Sequence, residues 1–404
     1  MTDFEKKYYW DRRGSGCSKW DGMKPGFGDD KDLVAMWVAD MDFRCPDGVG
    51  EAMSALVAQN TYGYCFPSPG YYSAFIEWER ERHGLEVEQS WIRYTPGVVV
   101  GIYRAIGALT QPGDTCILIS PVYYPFMSAI EDTGRRMVCS MLKEENGEYT
   151  PDYEDFEAMI IRENVKLFVL CSPHNPVGRI WKKEELAKLL AICEKHGVYV
   201  VSDEIHHDLE LTAKHVPTLA AYPCSTYTVM LTAASKTFNM AGLAHSMAII
   251  PDETIRKKYD AYCKPFTGFH ANMTGFVAIE AAYRSGREWL EGCLETLRQN
   301  SRLSEEIITG GLPEAVVSPL EGTYLQWVDL KNCVSREKLE EVVLKKAKIA
   351  VDWGHQFFPS VSKCEGDRRA VELGKTDCHI RLNLATSEKM VRTAAERLVA
   401  AIKG

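Results

Sequence analysis

Residues 94–251 read as the centre of an α/β protein with a large, mostly parallel sheet, for three reasons. Five short runs, at 116–120, 166–172, 198–202, 227–233 and 245–250, are continuously apolar, as strands covered on both faces must be. Between them, 98–111 places apolar residues at helical spacing, and 183–196 does so with charges on its other face. Strand, helix and strand in alternation is the pattern of an open parallel sheet, because a parallel connection must cross back over one face.

The texture changes near residue 288. A long charged helical pattern at 288–308 runs into Gly310, Gly311 and Pro313. A short strand at 324–329, a charged helix at 335–347 and a strand at 378–384 follow, which reads as a smaller α+β unit. The first 45 residues are rich in Gly, Asp and Trp, have no clear period, and are expected to drape over another part of the molecule. The expected division is a large α/β domain at 46–287 and a small domain made of 1–45 and 288–404.

Composition removes several function classes. With 404 residues, 46% hydrophobic and 25% charged, there is ample apolar material for a large core, so a disordered or fibrous chain is excluded. The 47 basic and 56 acidic residues give a net charge of −9, and no basic run exceeds two or three residues, which argues against nucleic acid as partner. The apolar runs are too short to span a bilayer, and residues 1–10 do not read as a signal peptide. The 13 cysteines lie singly with no C-x-x-C pair, and Cys116, Cys171 and Cys193 sit inside apolar runs. That suits reduced, buried thiols in the cytoplasm, with no metal site expected.

In open α/β sheets, ligands bind beyond the carboxyl ends of the strands. The residues found there are Tyr123 and Tyr124 after the first run, Asn175 after the second and Asp203 followed by His206 and His207 after the third. Ser235 and Lys236 follow the fourth, and Gly97 precedes the helix that begins near Val98. Each has a plain alternative: Asp203 as a helix N-cap, Tyr123 as rim packing, Asn-Pro-x-Gly as a turn, Lys236 as a solvated lysine. Their placement at successive strand ends favours one joint site. A lysine beside apolar residues can lose its charge and form a Schiff base. A buried Asp needs a cation, an aromatic can stack on a flat ring, and a helix N-terminus can hold a phosphate. Pyridoxal phosphate needs all four.

The segment S-K-T-F-N-M-A-G-L around Lys236 resembles the cofactor-lysine signature of fold-type I pyridoxal-phosphate enzymes. R-R-G-S-G-C-S-K-W-D (12–21), M-W-V-A-D-M-D-F (36–43) and Y-G-Y (62–64) extend the match, as do C-S-P-H-N-P-V-G (171–178), S-D-E-I-H-H-D (202–208) and H-I-R-L-N-L-A (379–385). Almost the whole chain is similar to the cystathionine β-lyase, or C–S lyase, branch of the class I/II aminotransferase superfamily. The 12–21 and 36–43 segments point to that branch. The resemblance implies an aspartate-aminotransferase-like fold and pyridoxal 5′-phosphate as cofactor. It implies Lys236 as the imine-forming lysine and proton shuttle, Asp203 on the pyridine nitrogen, Asn175 on the phenolic oxygen and Tyr123 on the ring face. Gly97, Val98 and Val99 would give backbone donors to the phosphate, with Ser235 as a hydroxyl donor. Arg381, with Asn175, would clamp the substrate α-carboxylate. Tyr64, and less directly Tyr62, would reach the neighbouring subunit's site in a homodimer.

Two departures separate the chain from mainstream transaminases. His206 stands where many carry a Tyr, and Ala244 where many carry a phosphate-binding Arg. His206 is read as a cofactor contact, with a structural loop histidine as its alternative. The function expected is a C–S β-lyase that cleaves L-cystathionine or related L-cysteine S-conjugates to thiol, pyruvate and ammonia. The alternative is a class I/II aminotransferase using a 2-oxo acid acceptor. A cofactor-dependent binding or regulatory protein fits less well, because a binder needs no proton shuttle.

Overall fold

The computed structural model describes residues 1–265, 272–359 and 369–404. After the two-residue β1 (Val34–Ala35) come β2 (Ile92–Thr95), β3 (Thr115–Ser120), β4 (Arg136–Glu145), β5 (Glu148–Pro151), β6 (Val165–Cys171), β7 (Tyr199–Asp203), β8 (Thr228–Thr232) and β9 (Ser246–Ile249). These last eight form one sheet in the order β2-β9-β8-β7-β6-β3-β4-β5. Strands β4, β3, β6, β7 and β8 run parallel.

The continuous apolar runs have the expected cause. Cys116 and Leu118 pack into the core on one face of the sheet, with Ile102 and Ile106 of the helix Val98–Leu109. Ile117 and Phe168 pack into the other core, with Phe156 and Leu189 from the helices Tyr153–Arg162 and Lys183–Lys195. Both faces being covered, a strand can alternate direction without alternating polarity.

One expectation needs correcting. The continuous apolar run at 245–250 reads like the parallel strands, yet β9 is antiparallel to β8 and to β2. The link from Thr232 to Ser246 holds only the short helix Ala234–Thr237 and a 3₁₀ turn, Ala241–Leu243. With no long helix to cross over, the chain turns back, and the turn carries Lys236. The hairpin of β4 and β5 is a further antiparallel addition at the opposite edge.

The C-terminal strands are β10 (Val316–Val317), β11 (Leu325–Asp329), β12 (Ile349–Ala350), β13 (Asp352–Trp353) and β14 (His379–Asn383). An antiparallel sheet in the order β10-β11-β14-β13 sets Arg381 opposite both Trp327 and Asp352. The helix expected at 335–347 is Arg336–Glu340 followed by a π-helical turn, Glu341–Lys346. The N-terminal segment is pinned to these parts: β1 pairs in parallel with β12, and Phe4 packs edge-on against Phe43 and Trp289.

Candidate active site

The carboxyl ends of β6, β7 and β8 converge on a cavity of about 260 Å³. Tyr123, Asn175, Asp203, His206, Ser235 and Lys236 line it, and Gly97, Val98 and Val99 close one end. Lys236 follows directly from β8, and its Nζ donates to the Ala39 carbonyl at 2.5 Å. Burial lowers the lysine from its ordinary range, Asp40 works against that, and Arg381 adds to it.

Asp203 ends β7 with one carboxylate oxygen accepting the Ile205 N–H at 3.0 Å. No cation bonds to it among the described residues. Burial therefore pushes its carboxyl up to about 7, against the pull of the Ile205 N–H. His206 is buried, its ring edge-on to Tyr324 at 5.7 Å, and its Nδ1 has no partner among the described residues. Burial, with Lys236 and Arg381 nearby, drives it well below the usual imidazole range, so it stays neutral.

Asn175 and Arg381 meet across the two sheets. Arg381 Nη1 donates to Asn175 Oδ1 at 2.7 Å, and Nη2 bonds to Asp352, the residue opposite it on β13. The guanidinium is almost wholly buried, lies over the Phe357 ring, and keeps a buried Nε without a partner. Asp352 was not anticipated; its signal in the sequence is a lone acid in Val-Asp-Trp, which names no partner.

At the other end, Gly97 sits at φ +123, a backbone region that side chains disfavour, and turns the chain into the helix Val98–Leu109. No side chain caps that helix. The Gly97 N–H itself donates to Ser246 Oγ at 3.1 Å, so the amides of Val98, Val99 and Val100 are the ones left for an anion. Val100 also lines the cavity and was not anticipated. Ala244 lines it too, in left-handed conformation, so no arginine enters from that position.

The segment at 36–43 crosses in front of Lys236 with its carbonyls taken one after another. Trp37 O accepts from Arg381 at 3.4 Å and Val38 O from Asn383 at 2.6 Å. Ala39 O accepts from Lys236, Asp40 O from Asn383 at 2.7 Å, and Met41 O from Arg12 at 2.8 Å. A wall read through its backbone tolerates little shift, which is a physical reason for a fixed signature there.

Behind Asp203 lies a buried ionic knot. Ligand-type atoms of Glu79, His83 and His207 lie within 4.8 Å of one another. His207 Nε2 pairs with Glu79 at 3.1 Å, while Asp208 accepts from His83 and Trp78 at 2.9 Å and from Thr237 at 2.7 Å. Burial alone would lower His207, but Asp208 and Glu79 lift it to about 10, so its imidazolium joins the Arg82 guanidinium, 3.3 Å from Asp208, as a cation here. The knot ties the helix Pro69–His83 to the chain just after Asp203 and just after Lys236.

Tyr62 and Tyr64 do not line this chain's own cavity; they are strongly exposed in the loop before that helix, Tyr64 at 87%.

Comparison with known proteins decides the family. The profile described as aminotransferase class I and II matches residues 40–398. The chain belongs to that family. It is 38% identical, over 88% of its length and 92% of the relative's, to the cystathionine β-lyase PatB of Bacillus subtilis (strain 168). Among solved structures it resembles cystalysin from Treponema denticola, which contains pyridoxal 5′-phosphate, at 33% identity and TM-score 0.89 over 100% of this chain and 99% of that one. The pyridoxal-phosphate-bound C–S lyase from Staphylococcus hominis is 30% identical, with TM-score 0.87 over 98% and 97% of the two chains. The fold is thus that of aspartate aminotransferase, within the C–S lyase branch of the class I/II family.

Pyridoxal 5′-phosphate is the cofactor of this class I/II enzyme, and the residues present fit it. A buried carboxylate lacking a cation suits the pyridinium nitrogen, the uncapped amides of 98–100 suit the phosphate, and a lysine with lowered basicity suits imine formation. Arg381 offers a test of the opposite end. Arg381→Lys should raise KM for amino-acid substrates roughly 10- to 100-fold, since one point charge replaces a planar fork of charge-assisted bonds. The cofactor absorbance should hardly change; an unaltered KM would move the carboxylate clamp elsewhere.

Proposed function

We propose that this enzyme is a C–S β-lyase that converts L-cystathionine, or a related L-cysteine S-conjugate, and water to a thiol, pyruvate and ammonia. The observation that carries the reading is the wall in front of Lys236. The segment that points to the lyase branch is built into the site, and its Ala39 carbonyl receives the lysine amine. The 38% identity to a cystathionine β-lyase supports the same conclusion.

Arg381, bonded to Asp352 and to the cavity-lining Asn175, is assigned to bind the α-carboxylate. Asp203 would keep a proton on the ring nitrogen of the cofactor, Tyr123 would cover its ring face, and the amides at 98–100 with Ser235 would hold its phosphate. Pyridoxal 5′-phosphate, when bound, would supply the electron-accepting ring. Lys236, its basicity lowered by burial, takes the Cα proton. The electron pair forms the Cα–Cβ double bond as the Cβ–S bond breaks, and the proton on Lys236 goes to the departing thiolate. The released enamine shifts a proton from nitrogen to its methylene carbon, and water hydrolyses the resulting imine to pyruvate and ammonia.

We assign it to the cytoplasm, where the described cysteines, none of them in a disulfide, stay reduced. No helix among the described residues is long and apolar enough to cross a membrane. A homodimer is proposed, in which the exposed Tyr64 reaches the partner's cavity; dilution to monomer should then cost activity along with assembly, and a fully active monomer in sedimentation would oppose it.

The deciding assay supplies L-cystathionine without any 2-oxo acid. Pyruvate, ammonia and homocysteine should accumulate over many turnovers, because elimination releases the amino group as ammonia and needs no acceptor for it. One turnover followed by arrest, relieved by 2-oxoglutarate, would establish an aminotransferase instead.

A further inference from the structure

Past Lys236 the cofactor cavity borders a second one of about 760 Å³, the two sharing Ala39, Lys236 and Ala241 as walls. Its walls come from the segments 12–21 and 36–43, the helix Asp47–Ala58 and the turn after Lys236. Most of that wall is apolar or sulfur-bearing, including Val38, Val49, Met53, Met240 and the thiols of Cys17 and Cys45. One charged pair stands in it. Arg12 Nη1 meets Asp40 Oδ2 at 2.6 Å, each side chain about one-fifth exposed.

The pair is half used. Both bonds of Arg12 leave from Nη1, to Asp40 and to Met41 O, so Nη2 and Nε have no partner among the described residues. Asp40 Oδ1 likewise has none, since Lys19 bonds to the Asp40 carbonyl and not to its carboxylate. A free guanidinium edge next to a free carboxylate oxygen matches a carboxylate next to an ammonium.

Resting on the lyase reading above, we propose that this larger cavity takes the thiol-bearing half of the substrate, and that Arg12 and Asp40 select conjugates whose far end is an amino-acid zwitterion. With the α-carboxylate at Arg381 and Cα at Lys236, a side chain continuing from Cβ runs past Ala39 and Ala241 into the larger space. Its methylene and sulfur atoms then meet Val38, Met53 and Met240, surfaces of the same softness. Beyond them the distal carboxylate takes the unused edge of Arg12 as a planar fork, and the distal ammonium takes Asp40 Oδ1. An S-alkyl cysteine fills the apolar part and leaves the pair as it stands.

The test compares L-cystathionine with S-ethyl-L-cysteine on the holoenzyme. Arg12→Gln should lower the ratio of their kcat/KM values, L-cystathionine over S-ethyl-L-cysteine, by about tenfold or more, as the loss of a charge-assisted fork implies. Met53→Trp, which fills the cavity without touching the pair, should lower the ratio as well. Equal losses on both substrates would overturn the proposal, since Arg12 would then act through Asp40 on Lys236. A second readout needs no turnover: calorimetric binding of the L-cystathionine analogue with a methylene in place of sulfur, against L-norleucine. The analogue should bind wild type more tightly and lose about tenfold in Arg12→Gln while L-norleucine does not. An analogue bound no better than L-norleucine overturns the distal site even in an active lyase. A wild type that makes no pyruvate yet prefers the analogue overturns the lyase reading alone.

Discussion

Lys236→Ala should lose turnover by at least about 10³-fold, the upper part of what a positioned general base contributes, and lose the visible absorbance of the bound cofactor with it. Two separate properties of the site depend on this one side chain. It follows β8 into a turn too short for a crossover helix, so its amine is delivered beside Asp203 and not out to solvent. Burial then lowers its basicity, which leaves a fraction of neutral amine both for imine formation and for taking a proton. Borohydride reduction of the wild-type holoenzyme, followed by peptide mass analysis, should fix the cofactor on Lys236. Label on any other lysine would remove Lys236 from the centre of the site. The Ala variant should keep its far-ultraviolet dichroism, because among the described residues the lysine's one hydrogen bond goes to the Ala39 carbonyl, and the carbonyls around it stay held, Val38 O and Asp40 O by Asn383 and Met41 O by Arg12.

The contrast between Lys236 and Ala39 explains what was legible in the sequence. Asn175, Asp203 and Lys236 could be read because a continuously apolar strand announces both its own burial and the point at which it ends. Chemistry-bearing side chains at that point have a known address. Ala39 contributes a carbonyl, and a carbonyl belongs to every residue, so nothing in the composition of 36–43 marks which one faces the lysine. The same holds for Val100, whose amide matters and whose side chain does not. Asp352 was hidden for another reason: its partner Arg381 is 29 residues away, and only the antiparallel register of β13 and β14 brings them opposite. Strand direction escaped as well. A strand buried on both faces has the same pattern whichever way it runs, so β9 could be located but not oriented. Gly97 was placed correctly at the helix entrance, yet the use of its N–H by Ser246 is a contact across 149 residues that spacing does not encode.

Asp203 carries the second large effect, and its sign is open to a direct check. In the cofactor-free protein its carboxyl sits near pH 7 because burial penalises the anion and, among the described residues, only the Ile205 N–H answers it. In the unfolded chain it returns to about 3.9. The folded state therefore binds the extra proton between those values, and the apoenzyme should lose stability as the pH rises from about 4 through 7. Ionising that carboxyl in place costs on the order of 4 kcal/mol, at about 1.4 kcal/mol per pH unit. Asp203→Asn removes the titration while keeping the shape, so its apoenzyme should melt higher than wild type above pH 7, and the gap should close toward pH 4. Pyridoxal 5′-phosphate reverses the ranking. A protonated ring nitrogen supplies the missing cation, so the wild type should gain more on binding than the Asn variant, which has no charge to be met. Activity should follow the holoenzyme order: an amide cannot keep the proton on the ring nitrogen, and Cα deprotonation should slow by roughly 10²-fold or more in Asp203→Asn. Equal melting curves for the two apoenzymes from pH 4 to 8, together with wild-type rates, would take Asp203 out of both the stability argument and the mechanism.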